Sequence, residues 1–506
     1  MIRRRLALIT AGFLTLQVLV FGTIGVLLVG AIIGWGGTSH RAATRFERRE
    51  EAFQIAEAGI EYYRWHLAHA PTDYEDGSGE PGPYEHDYLD HNGQKIGTFS
   101  LEITPPPLGS TVVTIVSTGR VLADPALERI IESKLAIPSL AKYAVVANAK
   151  MRFGEGTEIF GAIHSNDGIR FDGLAHNIVS SAKENYDDPD HSGANEFGVH
   201  THLRLPPQTG MYSEFVPAEA PPSAIADRSD VFLAGRQFPV PAVDFTGLTA
   251  DLAQIKADAQ AAGFYRGGSG GFGYRLVLKT NDSFDLYRVN SLFANPGGSC
   301  SNNSTARSQS GWGTWSIGTD EAAQTRIDGP NPDLSFPFPE NGLIFLEDHL
   351  WLAGQMDGAR LTIASGRFPD NPATRTSITV NNDLRYTNYD GTDTLSLIAQ
   401  NNLNVGLKSE ADLRLDGALV AQNGRVGRFY YNNSCGVEYV RSLITLYGMI
   451  ATNQRYGFAY ISGLNGEHVS GYVTRNIIYD GNLLYGPPPS FPLTADSYET
   501  ISWREL

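Results

Sequence analysis

The amino-acid sequence predicts a mainly β protein led by one long helix. The expected order is a helix laid on a small antiparallel sheet, then a right-handed parallel β-helix or irregular β-solenoid, with a β-sandwich as the alternative for the last part. Three observations carry this. An uncharged run from Leu6 to Trp35 passes into a helix-periodic stripe. The 54 glycines and 27 prolines among 506 residues suit a turn-rich β body. A short apolar phrase closed by asparagine recurs beyond residue 160.

The leading segment reads "MIRRRLALITAGFLTLQVLVFGTIGVLLVGAIIGW". A bilayer is crossed by about 20 apolar residues, so Leu6–Trp35 is long enough. A secretory signal has an apolar core of about 7–15 residues and a cleavage site behind it, which this run exceeds. Arg3, Arg4 and Arg5 precede it, and the positive-inside rule keeps them cytoplasmic and sends the remainder out. Beyond Trp35 the helix continues. Phe46, Phe53, Ile60 and Leu67 are seven apart, with Ala56 and Tyr63 between them, and Pro71 ends the pattern. Residues 1–71 thus form one helix, apolar in the membrane and striped outside it, and the stripe suits assembly with like helices or packing on its own domain.

The basic start, "GFLTLQVLV" and "AFQIAEAGIEYYRWHL" together resemble type IV pilin-like proteins, in particular pilus assembly proteins of the PilX N-terminal type. That resemblance covers roughly residues 1–70. It implies prepilin peptidase-like cleavage between Gly12 and Phe13, and a helix face of Gln17, Phe46, Phe53, Ala56, Ile60, Tyr63 and Leu67 that assembles with other pilin-like subunits and the pilus machinery. The family usually carries glutamate at the fifth mature position, where this chain has Gln17. Its leader is usually polar, whereas "LALITA" is apolar, which favours a permanently anchored or tip-located subunit.

Residues 72–140 hold three strand candidates, Gly97–Thr104, Ser110–Gly119 and Leu127–Ile137, with Phe99, Leu101 and Ile103 alternating as in a half-buried strand. They form a meander able to cover the helix stripe, which is also the general pilin plan. The acidic "DYEDGSGEPGPYEHDYLDHNG" before them lacks the EF-hand pattern and is expected as a solvated loop.

Residues 141–506 are expected to be the extracellular body. "GAIHSN", "SLIAQN", "GALVAQN" and "GMIATN" end at Asn166, Asn401, Asn423 and Asn453. Asparagine tolerates tight corners and can stack into side-chain ladders. The 22 residues from Asn401 to Asn423 match a solenoid rung. Insertions are expected at 180–235 and 295–335, an amphipathic helix at 245–263 carrying Leu248, Leu252, Ile255 and Ala259, and an extended C-terminal tail. Cys300 and Cys435 could pair in an exported body, although spacing alone does not bring them together.

Net charge is −16, with 39 basic and 55 acidic residues, which argues against nucleic acid as a partner. "YDDPDHSGANEFGVHTH" gathers Asp187, Asp188, Asp190, His191, His200 and His202, and a His-x-His on a strand suits a divalent ion. Its polar, glycine-containing setting favours a solvated loop, so no metal or cofactor is expected. Asp172 and Asp416 stand in "DG" pairs and are read as turn residues rather than glycosidase carboxylates. No nucleophile elbow or HExxH helix occurs, so no catalysis is expected. The sequence therefore predicts a structural subunit of a type IV pilus-like filament or assembly complex, a large minor or tip component. It would cross a bacterial cell membrane once, N-terminus cytoplasmic and body outside. The alternatives are a membrane-anchored adhesin for a carbohydrate or cell surface, and a β-helix polysaccharide-active enzyme.

Overall fold

The computed structural model describes residues 2–154, 157–189, 195–203, 219–245, 247–293, 300, 323–462, 467–494 and 497–506. Two units result: residues 1–105, 113–136 and 497–506 form one, and 106–112 with 137–496 form the other. The protein is mainly β, with one long N-terminal helix and an antiparallel sheet in the first unit.

Helix α1 runs Ile2–His69. Strands β1 (Tyr84–Leu89), β2 (Lys95–Thr104), β3 (Val113–Val121) and β4 (Asp124–Ala136) follow, and a C-terminal strand, Glu499–Glu505, pairs antiparallel with β4 to complete a five-stranded sheet in that order. Strict alternation turns Val113, Ile115, Ser117 and Val121 of β3 inward. Ala52, Ile55, Ala56, Ile60, Tyr63 and Leu67 of α1 meet this face at helical spacing and are at most 4% exposed. Small residues allow the approach: a Cβ on Gly119 would lie 2.2 Å from the Ala52 carbonyl oxygen, and one on Gly59 would lie 2.3 Å from Ser117 Oγ. Two expectations change here. The second half of the acidic segment is strand β1, because Tyr84 and Tyr88 pack on the helix–sheet core. The tail ends as a sheet strand that places Trp503 edge-on to Phe53 at 5.8 Å. The small module is therefore split in sequence, and the body is inserted into it.

In the body, parallel pairing dominates. Phe264–Arg266, Leu343–Leu346, Arg360–Ser365, Thr394–Ala399, Asp412–Ala421, Val440–Thr452, Val145–Ala147, Ile163–Ser165 and Val179–Ser181 pair in turn, each parallel to the next. Thus the latest strand of the series meets the earliest, Ile450 beside Val145. A second parallel row runs Gly273–Lys279, Leu350–Met356, Ile378–Thr379, Leu403–Val405 and Val426–Arg428. Buried apolar residues of both rows form one core. Antiparallel pairing interrupts the pattern at Gly273–Lys279 with Ser283–Val289.

Helix α2 (Gly247–Ala262) returns the chain from one end of the first row to the other. Val243 is bonded to Asn166, just past Ile163–Ser165, and Phe264 pairs with Ile344, seven strand steps away. Seven steps span about 34 Å. Sixteen helical residues supply about 24 Å of that span, and the residues flanking the helix cover the remainder. Leu252, Ile255 and Ala259 seat the helix on Phe345, Ala364 and Ile398; the side chain of Leu248 lies outside the described residues.

Asparagines do stack along this row. Asn166 Nδ2 donates to Asn148 Oδ1 at 2.8 Å, Asn148 Nδ2 to Asn453 Oδ1 at 2.7 Å, and Asn453 Nδ2 to the Asn423 carbonyl at 3.3 Å. The register places Gln400 and Gln422, rather than Asn401 and Asn423, level with Asn453. At the body's neck the entering and leaving chains are bonded together: Leu140 N donates to Pro492 O at 2.9 Å, and Thr494 N to Pro138 O at 2.9 Å.

Candidate functional site

Helix α1 changes role along its length. Phe13, Phe21, Val26 and Trp35 are 63%, 70%, 74% and 73% exposed, and α1 is long and apolar enough to cross a membrane. A soluble surface does not leave such a stretch uncovered. Gly12 and Phe13 lie within the helix, and the side chains of residues 2–12 are outside the described set. The expected assembly face divides. Ala56, Ile60, Tyr63 and Leu67 are consumed by the module's own core, so they present no surface to a neighbour. Phe53 is half-buried under Trp503 and the Arg129 guanidinium. Gln17 is exposed, and Phe46 is 66% exposed on the same helix, just before packing begins.

A cavity of about 370 Å³ opens in the body beside Phe153, Tyr456, Phe458 and Tyr460. Arg152, Arg425, Arg455 and Arg475 line it, and among the described residues no Asp or Glu does. Hydrogen bonds orient two of these arginines: Arg425 NH1 donates to Tyr460 Oη at 3.0 Å, and Arg475 NH1 to the Val473 carbonyl at 2.8 Å. Arg152, Arg425, Arg455 and Arg475 bring four guanidinium groups to one recess, a charge that suits an anionic ligand, and its aromatic lining suits a ring. Sequence reading missed it, because the arginines stand at positions 152, 425, 455 and 475 and meet only in the fold.

The histidine cluster is not a solvated loop. Val199–His200 pairs parallel with Ile169–Arg170 and carries the motif inside. Asp188, His200 and His202 are 2%, 0% and 8% exposed. Asp188 Oδ2 lies 3.5 Å from His200 Nε2, 4.0 Å from His202 Nε2 and 3.8 Å from Arg170 NH1. Burial, with Arg170 and His200 alongside, pushes His202 down to about 3, so it is a neutral imidazole. Burial, with Asp188 nearby, raises Tyr186. Asp187 offers its carbonyl to Lys150, while Asp190 and His191 lie outside the described residues.

Neither "DG" aspartate sits in a solvated turn. Asp172 accepts from Arg170 Nε at 2.6 Å and from His202 N at 2.8 Å. Asp416, fully buried, accepts from Tyr386 N, Tyr389 Oη and Arg414 Nε at 2.9, 2.8 and 2.9 Å. Both are structural acceptors, committed to neighbouring strands. Cys300 and Cys435 form a disulfide that closes 135 residues of chain and packs on Leu407, Phe429 and Tyr431.

Fold and sites together define a helix-anchored, mainly β protein with a large inserted body. No family model matches the chain, and no curated relative does. Among solved structures, it is similar to the competence-associated pilin ComZ from Thermus thermophilus, with 13% identity over 91% of this chain and 97% of that one and a TM-score of 0.34. A likeness of that size carries no argument about function.

Proposed function

We propose that this protein is a structural subunit of a type IV pilus-like filament or its assembly complex, a large minor or tip component that presents its body outside the membrane. The observation that supports this reading is the continuity of α1: an uncovered apolar half joined without a break to a half locked in a small antiparallel sheet. A mere tether needs no rigid link between membrane and domain, whereas a subunit packed through its helix does. The disulfide favours an oxidising compartment for the body. On this reading the stacked parallel rows are a β-solenoid, right-handed as parallel crossovers are, and the apolar segment before Phe13 suits a permanently anchored or tip-located subunit.

Phe46 is the position that tests it. Phe46→Glu adds a charge to an exposed site and should leave insertion and folding unchanged while cutting surface assembly at least tenfold, read by cross-linking in the native membrane. Assembly at the parent level reduces the helix to a tether.

The arginine-lined cavity favours a second role, adhesion to an acidic carbohydrate. Arg475→Ala with Arg425→Ala should weaken binding of a polyuronate at least tenfold, measured by calorimetry with the neutral glycan as control. Equal binding of both glycans, or an unaffected double variant, removes this role.

A further inference from the structure

We propose that Asp188, His200 and His202 hold a divalent cation of the zinc type, with the fourth position left to water. Spacing is the first argument. Around a tetrahedral ion with bonds of about 2.0–2.1 Å, neighbouring donor atoms stand about 3.3–3.4 Å apart. One donor atom from each of the three residues falls within 4.8 Å of the others, and Asp188 Oδ2 is 3.5 and 4.0 Å from the two Nε2 atoms. Those gaps are too wide for hydrogen bonds, which would close to about 2.8 Å, and near those of donors facing one ion. A slight inward movement completes the shell.

The second argument is independent. His200 is fully buried, and among the described residues neither of its ring nitrogens has a hydrogen-bond partner. Buried polar atoms in native proteins are nearly always satisfied, and leaving one unmet costs about 1–3 kcal/mol. An ion on Nε2 removes that cost on the side facing Asp188. The surroundings fit a ligand set as well. Thr201 Oγ1 contacts Asp172 Oδ1 at 3.3 Å, so the residue between the two histidines is pinned, and His202 N is bonded to the same oxygen at 2.8 Å. Arg170 is engaged by Asp172 through Nε at 2.6 Å, and its NH1 stays 3.8 Å from Asp188 Oδ2, beyond hydrogen-bond length. The set mixes one hard oxygen with two imidazoles, which suits zinc over calcium or magnesium. Bound there, the ion ties the Asp188 turn to the strands carrying Arg170 and His200.

Chelator-treated full-length protein in detergent should bind one zinc per chain in competition with a chromophoric chelator, and cobalt should give the visible band of a four-coordinate site. His200→Ala and Asp188→Asn should each lower zinc affinity on the order of 100-fold. Zinc should raise the melting temperature of the parent in proportion to the logarithm of its concentration, and of neither variant. Because His200→Ala could also loosen the fold, near-ultraviolet circular dichroism of the isosteric Asp188→Asn serves as the folding control. No zinc bound by the parent, or equal binding by both variants, overturns the site.

Discussion

Ile60→Asp is expected to unfold the small module. Ile60 is 4% exposed against the sheet. Losing its burial costs about 1.5–3 kcal/mol, and forcing a carboxylate into that contact adds several more. The sum approaches the whole stability of a typical domain, about 5–15 kcal/mol. Gly119→Val should act similarly by another route, since its Cβ would lie 2.2 Å from the Ala52 carbonyl oxygen and 2.5 Å from Ala56 N, both backbone atoms that cannot rotate away. Limited proteolysis reads this directly. Cleavage within residues 72–136 should appear in both variants and be absent from Phe46→Glu. A protease-resistant Ile60→Asp would mean that the helix does not pack on this sheet, and the stripe would again be available to neighbours.

Removing the disulfide should cost the body about 2–5 kcal/mol. Closing a loop of 135 residues restricts the unfolded chain by about 5 kcal/mol in the chain-entropy treatment. The bridge also packs in a small cluster of its own with Leu407, Phe429 and Tyr431. Cys300→Ser with Cys435→Ser should therefore lower the denaturant midpoint of the body without changing that of the module. Reduction of the parent should shift it equally. If neither treatment moves the midpoint, the bridge does not constrain the unfolded chain.

Legibility in the sequence followed the range of the interactions. The helix and strands β2 to β4 were readable because their periodicity is local and one face of each is apolar. Asn166 and Asn453 were readable for the same reason, each closing a short apolar phrase. Strand β1 was hidden in an acidic segment, because Tyr84 and Tyr88 alternate with charges that a composition reading counts as solvated. The C-terminal strand was hidden by distance, since its partner β4 lies more than 360 residues earlier. The histidine motif was seen but misplaced: glycine, proline and aspartate suggested a loop, while burial came from parallel pairing of His200 with Arg170. Asp172 and Asp416 were misread likewise, as turn formers instead of buried acceptors. For the four cavity arginines no local signal existed.

The bonded neck has an evolutionary consequence. Ala136 of β4 faces Glu499 of the C-terminal strand, and just beyond them the two connecting chains stay together through Leu140 and Thr494. An insert whose ends already meet imposes little loop-closure entropy on its host. To the sheet, 360 residues of body count for little more than the turn of a hairpin. Recombination at this point could exchange residues 137–496 for another insert, with the 106–112 segment, which belongs to the body's unit, as the second place to adapt. Natural selection could then vary the body without revising the module that carries the long helix.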